Sequence, residues 1–533
     1  MQRQEMIDAI DSPGEQWDVI IIGGGATGLG AALEASSRGH RTVLLESHDF
    51  AKGTSSRSTK LVHGGVRYLR QGRIGMVRQS LLERQRLLNN APHIVHPLGF
   101  VIPSYSAGSG WFYYAGLKAY DLLAGGQDFP KAKMLSREQT LQQLPTLNPH
   151  QLRGGVHYSD GQFDDSRLAI SLAQTTVEQQ GIVLNYSPVT SLIHQGSKLK
   201  GVVLQDLESK REISLYSRVV INATGVFADD VLKLDQSSQA DSETQAKPVV
   251  APSQGTHIVL DRSFLPSDTA MMIPKTEDGR VLFAIPWHGR TLFGTTDIAV
   301  KKIDVEPRPL QEEIEYLLDY AGRYLTKKPM KSDILSMFSG LRPLVRSSSG
   351  KSTSQLSREH DIRTSSSGLI SIIGGKWTTY RRMGEELINL AERVGGLDRR
   401  NSRTADLPLH GSPKTDQAEE SETCEEALKV YGSDIEGIRK LSSQDPSLNK
   451  QLHPRLPYLA SEVVWAARCE MARTVEDVLA RRTRALFLDA NAAIESAPQV
   501  ASLLMQELQQ NQGWRDSQIK TFEALAKGYC NQD

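Results

Sequence analysis

Apolar positions near the start fall into runs. Residues 18–22 and 41–46 read as strands, and 26–38 between them has a helical composition. A Ser/Thr/Gly-rich loop follows over 53–65. The stretch 76–90 has helical spacing and stops before Pro92. Residues 108–126 are aromatic and apolar. Helix at 166–180 and strand at 182–186 come next, then a buried strand at 218–223 that closes on Thr224-Gly225. From 247 to 298 the pattern changes to short strands broken by Pro and Gly. Residues 311–326 are helical, and the strand 369–373 runs into Gly374-Gly375 and a helix. The polar stretch 398–417 reads as a linker. Beyond it the chain is almost wholly helical, with Thr474 to Asp477 resembling a capping box that opens a helix over 475–486.

A chain of 533 residues is too long for one core. The pattern predicts an α/β + α architecture in three parts. A discontinuous dinucleotide-binding domain takes 1–74, 148–232 and 352–396. A β-rich substrate cap takes 75–147 and 233–351, and an all-helical C-terminal domain takes 397–533.

Charge narrows the function. Lys plus Arg and Asp plus Glu both number 62, so nothing global argues for nucleic acid. Residues 51–90 nevertheless hold nine Lys or Arg and one acid, Glu83. The first half of that stretch suits a phosphate lining. Its last arginines read better as a solvated helix face. Cys424, Cys469 and Cys530 lie far apart and form no CxxC pair, which points to a reducing compartment. Glu5, Asp8, Asp11 and Glu15 without an apolar run exclude a secretory signal, and no stretch is apolar enough to span a bilayer.

Gly23-Gly24-Gly25-Ala26-Thr27-Gly28 fits G-x-G-x-x-G, and its context makes it specific. It follows a strand, opens a helix, and has Glu46 at the end of the next strand, about 20 residues on. Gly23 permits the tight turn, Gly25 lets backbone approach a pyrophosphate, and Gly28 lets helix and strand pack closely. Glu46 suits ribose hydroxyls. Two later features favour FAD over NAD. One is the strand ending Ala223-Thr224-Gly225, and the other is the second glycine turn, Gly374-Gly375-Lys376-Trp377-Thr378.

The segment Gly53-Thr-Ser-Ser-Arg-Ser-Thr-Lys-Leu-Val-His-Gly-Gly-Val-Arg-Tyr-Leu69 closely resembles a loop of the FAD-dependent, membrane-associated respiratory glycerol-3-phosphate dehydrogenases. Further similar blocks are Gly255-Thr-His257, Gly294-Thr-Thr-Asp297, Ser339-Gly-Leu-Arg-Pro-Leu344, Gly374 to Tyr380 and Thr474 to Arg484. The resemblance implies noncovalent FAD, with sn-glycerol 3-phosphate giving up its C2 hydride to flavin N5 and becoming dihydroxyacetone phosphate. It also implies a membrane quinone as electron acceptor and a cytoplasmic enzyme held peripherally on the inner face of the membrane, with a homodimer as the expected assembly. No D-x-[DN]-x-[DN]-G calcium loop is seen and no metal is expected, so the resemblance is to the bacterial branch.

Residue by residue, His257, Arg342 and Lys376 are the expected catalytic set. Arg342, between Gly340 and Pro343, is expected in a turn, converging on the phosphate with Arg67, Arg358 and Lys376. Tyr68 is expected to cap the substrate or the flavin edge. His257 is the best base for the hydroxyl proton, while His63 reads as structural. Lys376 alternatively sits by the flavin pyrimidine. Thr54, Ser55, Ser58, Thr59, Lys60, Gly225, Gly374, Gly375 and Thr378 are expected against the cofactor. The segment 110–124 suits a membrane interface, but a buried cap helix fits its sequence better. Alternatives remain: an oxidase passing electrons to oxygen, a related amine or amino-acid oxidase, and an FAD-holding protein without turnover.

Overall fold

The structure is a computed structural model describing residues 1–12, 16–65, 72–125, 129–237, 248–277, 279–346, 359–413 and 426–531. Its first sheet grows from the strand Gln16–Ile22, where Val19, Ile20 and Ile21 are fully buried. A strand apolar on both faces belongs inside a parallel sheet covered by helices. Gln16–Ile22 pairs in parallel with Thr42–Leu45 on one side and Glu212–Asn222 on the other. Ile182–Leu184 and Ile370–Ile373 extend the sheet in parallel at the two flanks. Helix Ala26–Ser37 packs between Asp165–Glu178 and Tyr380–Gly395. Ile22 is in register with both Leu45 and Asn222. The glycine turn, Thr224-Gly225 and Gly374-Gly375 therefore leave the carboxyl ends of neighbouring strands, where open α/β sheets bind ligands.

The second sheet has ten strands among the described residues and forms the cap. Its long pair is Val250–Asp261 against Ile334–Val345, antiparallel. Here the expected boundaries shift. Gly154–Phe163, expected in the dinucleotide domain, pairs along its length with Val95–Ser104 in the cap sheet, and Leu61–Val62 joins it there. Alternation marks a strand but does not name its partner.

Helix Ser109–Ala124 corrects the buried reading of 110–124. Leu117 and Tyr120 are buried, but Trp111, Phe112 and Leu122 are 67%, 61% and 82% exposed. The helix thus has one packed face and one apolar face turned outward. No described helix is long and apolar enough to cross a membrane.

Among the described residues from 426 onward, the C-terminal domain is helical apart from a hairpin, Gln451–His453 with Leu456–Leu459. The capping box forms: the Asp477 N–H donates to Thr474 Oγ1 at 3.1 Å, and the Thr474 N–H donates to Asp477 Oδ2 at 3.0 Å. The expected continuous helix does not form. Asp477–Arg482 winds as a wide π turn and Arg484 takes φ +68°. The arginines account for this. Arg481 and Arg482 both donate to Asp49, and Arg484 donates to Asp165 Oδ1 at 3.1 Å and the Ser56 carbonyl at 3.0 Å. The widened turn satisfies all three, tying this domain to the loop that follows Glu46.

Candidate active site

Gly28 is required by contact: a Cβ there would lie 1.8 Å from the Gly23 carbonyl oxygen. Gly23 itself holds φ +110°, a conformation open to glycine and strained for other residues. At the turn, Glu46 Oε2 accepts from the Gly24 N–H at 2.6 Å, and its Oε1 accepts from the His48 N–H at 2.8 Å. Ser55 Oγ accepts from the Ala26 N–H at 2.9 Å, so a hydroxyl marks the helix N-terminus where a phosphate would dock.

From this turn a cavity of about 640 Å³ runs to the cap. Gly23, Gly25, Glu46, Thr54, Ser55 and Gly225 line it. Gly374, Gly375, Lys376 and Thr378 also line it. The Trp377 Nε1–H donates to the Ser55 carbonyl at 2.8 Å and the His63 N–H to Thr378 Oγ1 at 3.2 Å, which closes the loop 53–65 onto the second glycine turn. Lys376 Nζ lies 3.8 Å from Met76 Sδ. A dinucleotide fits this cradle: two glycine turns, a helix N-terminus and an acidic strand end share one groove.

The cap end holds His257 and Arg342. Arg342 does not sit in a turn. It lies within the strand Ile334–Val345, in register with Ser253. Gly and Pro beside it suggest a turn, but Pro343 faces Pro252 across the pair, where the ladder tolerates it. Its Nη2 donates to the Thr296 carbonyl at 2.9 Å and Thr295 Oγ1 at 3.1 Å, and its Nη1 to the Gln254 carbonyl at 3.2 Å. Asp297 lies 3.7 Å from Nη1. The guanidinium is thus held rigidly against the strand Val250–Asp261 at Gly255.

His257 stacks on Phe338, with centroids 5.0 Å apart. Its Nε2 shares a hydrogen bond with Thr59 Oγ1 at 3.0 Å. Burial pushes this imidazole well below the usual histidine range, and the positive charges of Lys60 and Arg342 push it further. It is held neutral, the form a base requires.

Lys60 does not reach the cavity. At φ +62° it turns its amine into the core, donating to Asp165 Oδ2 at 2.6 Å and the Ser56 carbonyl at 2.8 Å. Burial lowers it to about 7 against the pull of Asp165, and Arg484 adds to the lowering. Ser58 lines the cavity, but its hydroxyl donates to the same Asp165 at 2.7 Å. Arg67, Tyr68 and Arg358 lie outside the described residues.

Sequence reasoning missed several members of the site. Asp165 is the hub beneath the loop, and Phe338 supports His257. Arg84, read as a surface cation, is buried and donates to Asp160 Oδ1 at 2.7 Å. The Tyr120 hydroxyl donates to Asp160 Oδ2 at 2.8 Å and accepts from the Gly64 N–H at 2.8 Å. The exposed aromatic helix is thereby pinned to the loop that borders the cavity. Only long-range pairing signals this network, and a single sequence does not carry it.

Fold and groove together define an FAD-dependent oxidoreductase. Residues 18–381 match the family model described as FAD dependent oxidoreductase, and 370–518 match the C-terminal domain of alpha-glycerophosphate oxidase. A probable mitochondrial glycerol-3-phosphate dehydrogenase of Dictyostelium discoideum is 38% identical, covering 96% of this chain and 84% of that protein. The mitochondrial glycerol-3-phosphate dehydrogenase of Rattus norvegicus is 36% identical, covering 95% of this chain and 72% of that one. The crystal structure of glycerol-3-phosphate dehydrogenase from Bacillus halodurans with FAD superposes with a TM-score of 0.80 at 29% identity, covering 99% of this chain and 97% of that one. The chain belongs to the FAD-dependent glycerol-3-phosphate dehydrogenase family, and its cofactor is FAD.

Proposed function

We propose that the chain oxidises sn-glycerol 3-phosphate to dihydroxyacetone phosphate and passes the electrons to a membrane quinone. One observation carries the reading: a strand-held arginine and a neutral buried histidine face the far end of a dinucleotide groove. Arg342 would bind the phosphate, with Arg67, Arg358 and Tyr68 as expected partners from the resemblance. His257 would take the C2 hydroxyl proton.

FAD, when bound, accepts the hydride. Gly23, Gly25, Gly28 and Glu46 would hold its nucleotide half, and Gly374, Gly375 and Thr378 its flavin half. Thr54, Ser55, Ser58, Thr59 and Gly225 would line its path. Lys376 would place positive charge near the ring. Lys60 acts at a distance from the cofactor. Buried beneath the loop, it supports the conformation of 56–60.

Peripheral attachment to the inner face of the cytoplasmic membrane belongs to the same reading. The outward apolar face of Ser109–Ala124 supports it, since Trp and Phe beside a half-buried Lys118 suit a headgroup boundary. The match of 370–518 to a glycerophosphate oxidase domain favours a second reading, with the same substrate and oxygen as acceptor. Turnover with glycerol 3-phosphate, comparing a soluble quinone analogue with oxygen, separates them. The main reading expects the quinone to be far faster, and equal or faster oxygen reduction would favour the oxidase.

A further inference from the structure

We propose that the hydroxyl of Thr59 carries the substrate proton from the cavity to His257. The inference rests on the reading that a secondary alcohol is oxidised in this cavity.

His257 borders the cavity yet is only 2% exposed. Phe338 covers one ring face. Gly294 crowds an edge, for a Cβ there would lie 2.4 Å from His257 Cδ2. Nδ1 is buried and has no hydrogen-bond partner among the described residues. Nε2 makes its bond to Thr59 Oγ1 at 3.0 Å. Thr59 is half-buried and lines the cavity. A proton leaving a bound alcohol therefore meets the threonine oxygen before the imidazole. A hydroxyl donates and accepts at once, so it can pass on one proton while taking another. Neighbouring hydroxyls are otherwise engaged: Ser58 Oγ donates to Asp165, and Thr54 Oγ1 donates to the Leu341 carbonyl at 2.6 Å.

In the resting site the Thr59 O–H donates to Nε2, with the ring proton on Nδ1. As the C2 hydrogen departs with its electron pair, which bound FAD would accept, the substrate hydroxyl becomes strongly acidic and gives up its proton in the same step. The substrate O–H bond breaks as a new O–H bond forms at Thr59. The original Thr59 proton moves to Nε2. The alcohol loses one hydride and one proton, and the imidazolium holds the proton. Burial first, and then the Lys60 and Arg342 charges, disfavour that cation, so after product leaves the proton returns through Thr59 to water entering the cavity.

The test is the rate of anaerobic flavin reduction by saturating glycerol 3-phosphate in the FAD-loaded enzyme. Thr59→Val should reduce that rate by about 100-fold or more, the usual size of a lost proton-transfer group. FAD content and substrate affinity should stay near wild type, and Thr59→Ser should restore the rate. The wild-type rate in mixtures of light and heavy water should curve with isotope fraction, because two protons move together. That second measurement needs no variant to fold. An unchanged rate in Thr59→Val, or a linear isotope dependence, would overturn the relay and leave the substrate reading intact. Failure of the wild-type flavin to reduce at all would sink the substrate reading instead, and the relay with it.

Discussion

Arg342 rests on Gly255: a Cβ on that glycine would lie 2.2 Å from Arg342 Nη2 and 2.7 Å from its Cζ. The glycine of the Gly-Thr-His block is there to admit the arginine. Gly255→Ala should push the guanidinium off its three acceptors while the dinucleotide groove stays whole. A lost charge-assisted contact to phosphate costs about 1.5–3 kcal/mol, or roughly 10–100-fold in KM. Steady-state kinetics with flavin content as control checks this. An unchanged KM would mean that Arg342 does not bind the phosphate.

Arg342→Ala should go further and lower kcat/KM for glycerol 3-phosphate by about 100-fold or more, with FAD still bound. Arg342→Lys should recover only part, since a point charge cannot replace the fork held by Thr295, Thr296 and Gln254. Wild-type kinetics in either variant would remove the residue from the site.

These two residues also show what a sequence makes legible. The glycine turn, Glu46 and the two later strand–glycine junctions declare themselves locally, because φ > 0 and close backbone approach leave few residues to choose from. Arg342 stands out by its block, but its setting does not. Gly340 and Pro343 look like turn residues, and only the partner strand Val250–Asp261 shows otherwise. Arg484 and its neighbours fit an α-helical period, and the π turn arises because Asp49 and Asp165, more than 300 positions away, demand their charges. Trp111 and Phe112 are ambiguous in sequence, since an interfacial and a buried helix share one composition.

Arg484 offers a direct test of the coupling between domains. Arg484→Met removes a buried cation from Asp165 and from the Ser56 carbonyl. Breaking a buried pair on one side costs about 3–5 kcal/mol. Thermal unfolding should shift down by several degrees, and FAD should dissociate more readily because the loop 53–65 loosens. An unchanged melting temperature would show that the arginine is not holding the loop.

His410 links the helix Asp165–Glu178 to the C-terminal domain. Its Nδ1 bonds to Glu178 at 2.5 Å and its Nε2 to Asp434 at 2.9 Å. Burial opposes its charge, but the two carboxylates win and raise it to about 9. The folded value lies above the unfolded one, so this stabilisation is complete below about pH 6.5 and is lost as pH rises through about 9. Screening at the exposed Glu178 reduces it to about 1–2 kcal/mol. His410→Gln should flatten the fall in denaturant midpoint between pH 6.5 and 9, and the same slope in both proteins would refute the link.

Trp111→Ser with Phe112→Ser should weaken binding to anionic vesicles more than tenfold, since each buried ring contributes about 1.5–3 kcal/mol. Turnover with a soluble acceptor should not change. Equal vesicle binding would place the membrane contact elsewhere.

The central claim is that this groove oxidises glycerol 3-phosphate with its own FAD. Anaerobic titration of the purified yellow protein, followed by flavin absorbance, tests it without any added acceptor. The account predicts full bleaching by glycerol 3-phosphate with dihydroxyacetone phosphate as product, and little or none by glycerol. A flavin that stays oxidised under excess glycerol 3-phosphate would contradict it.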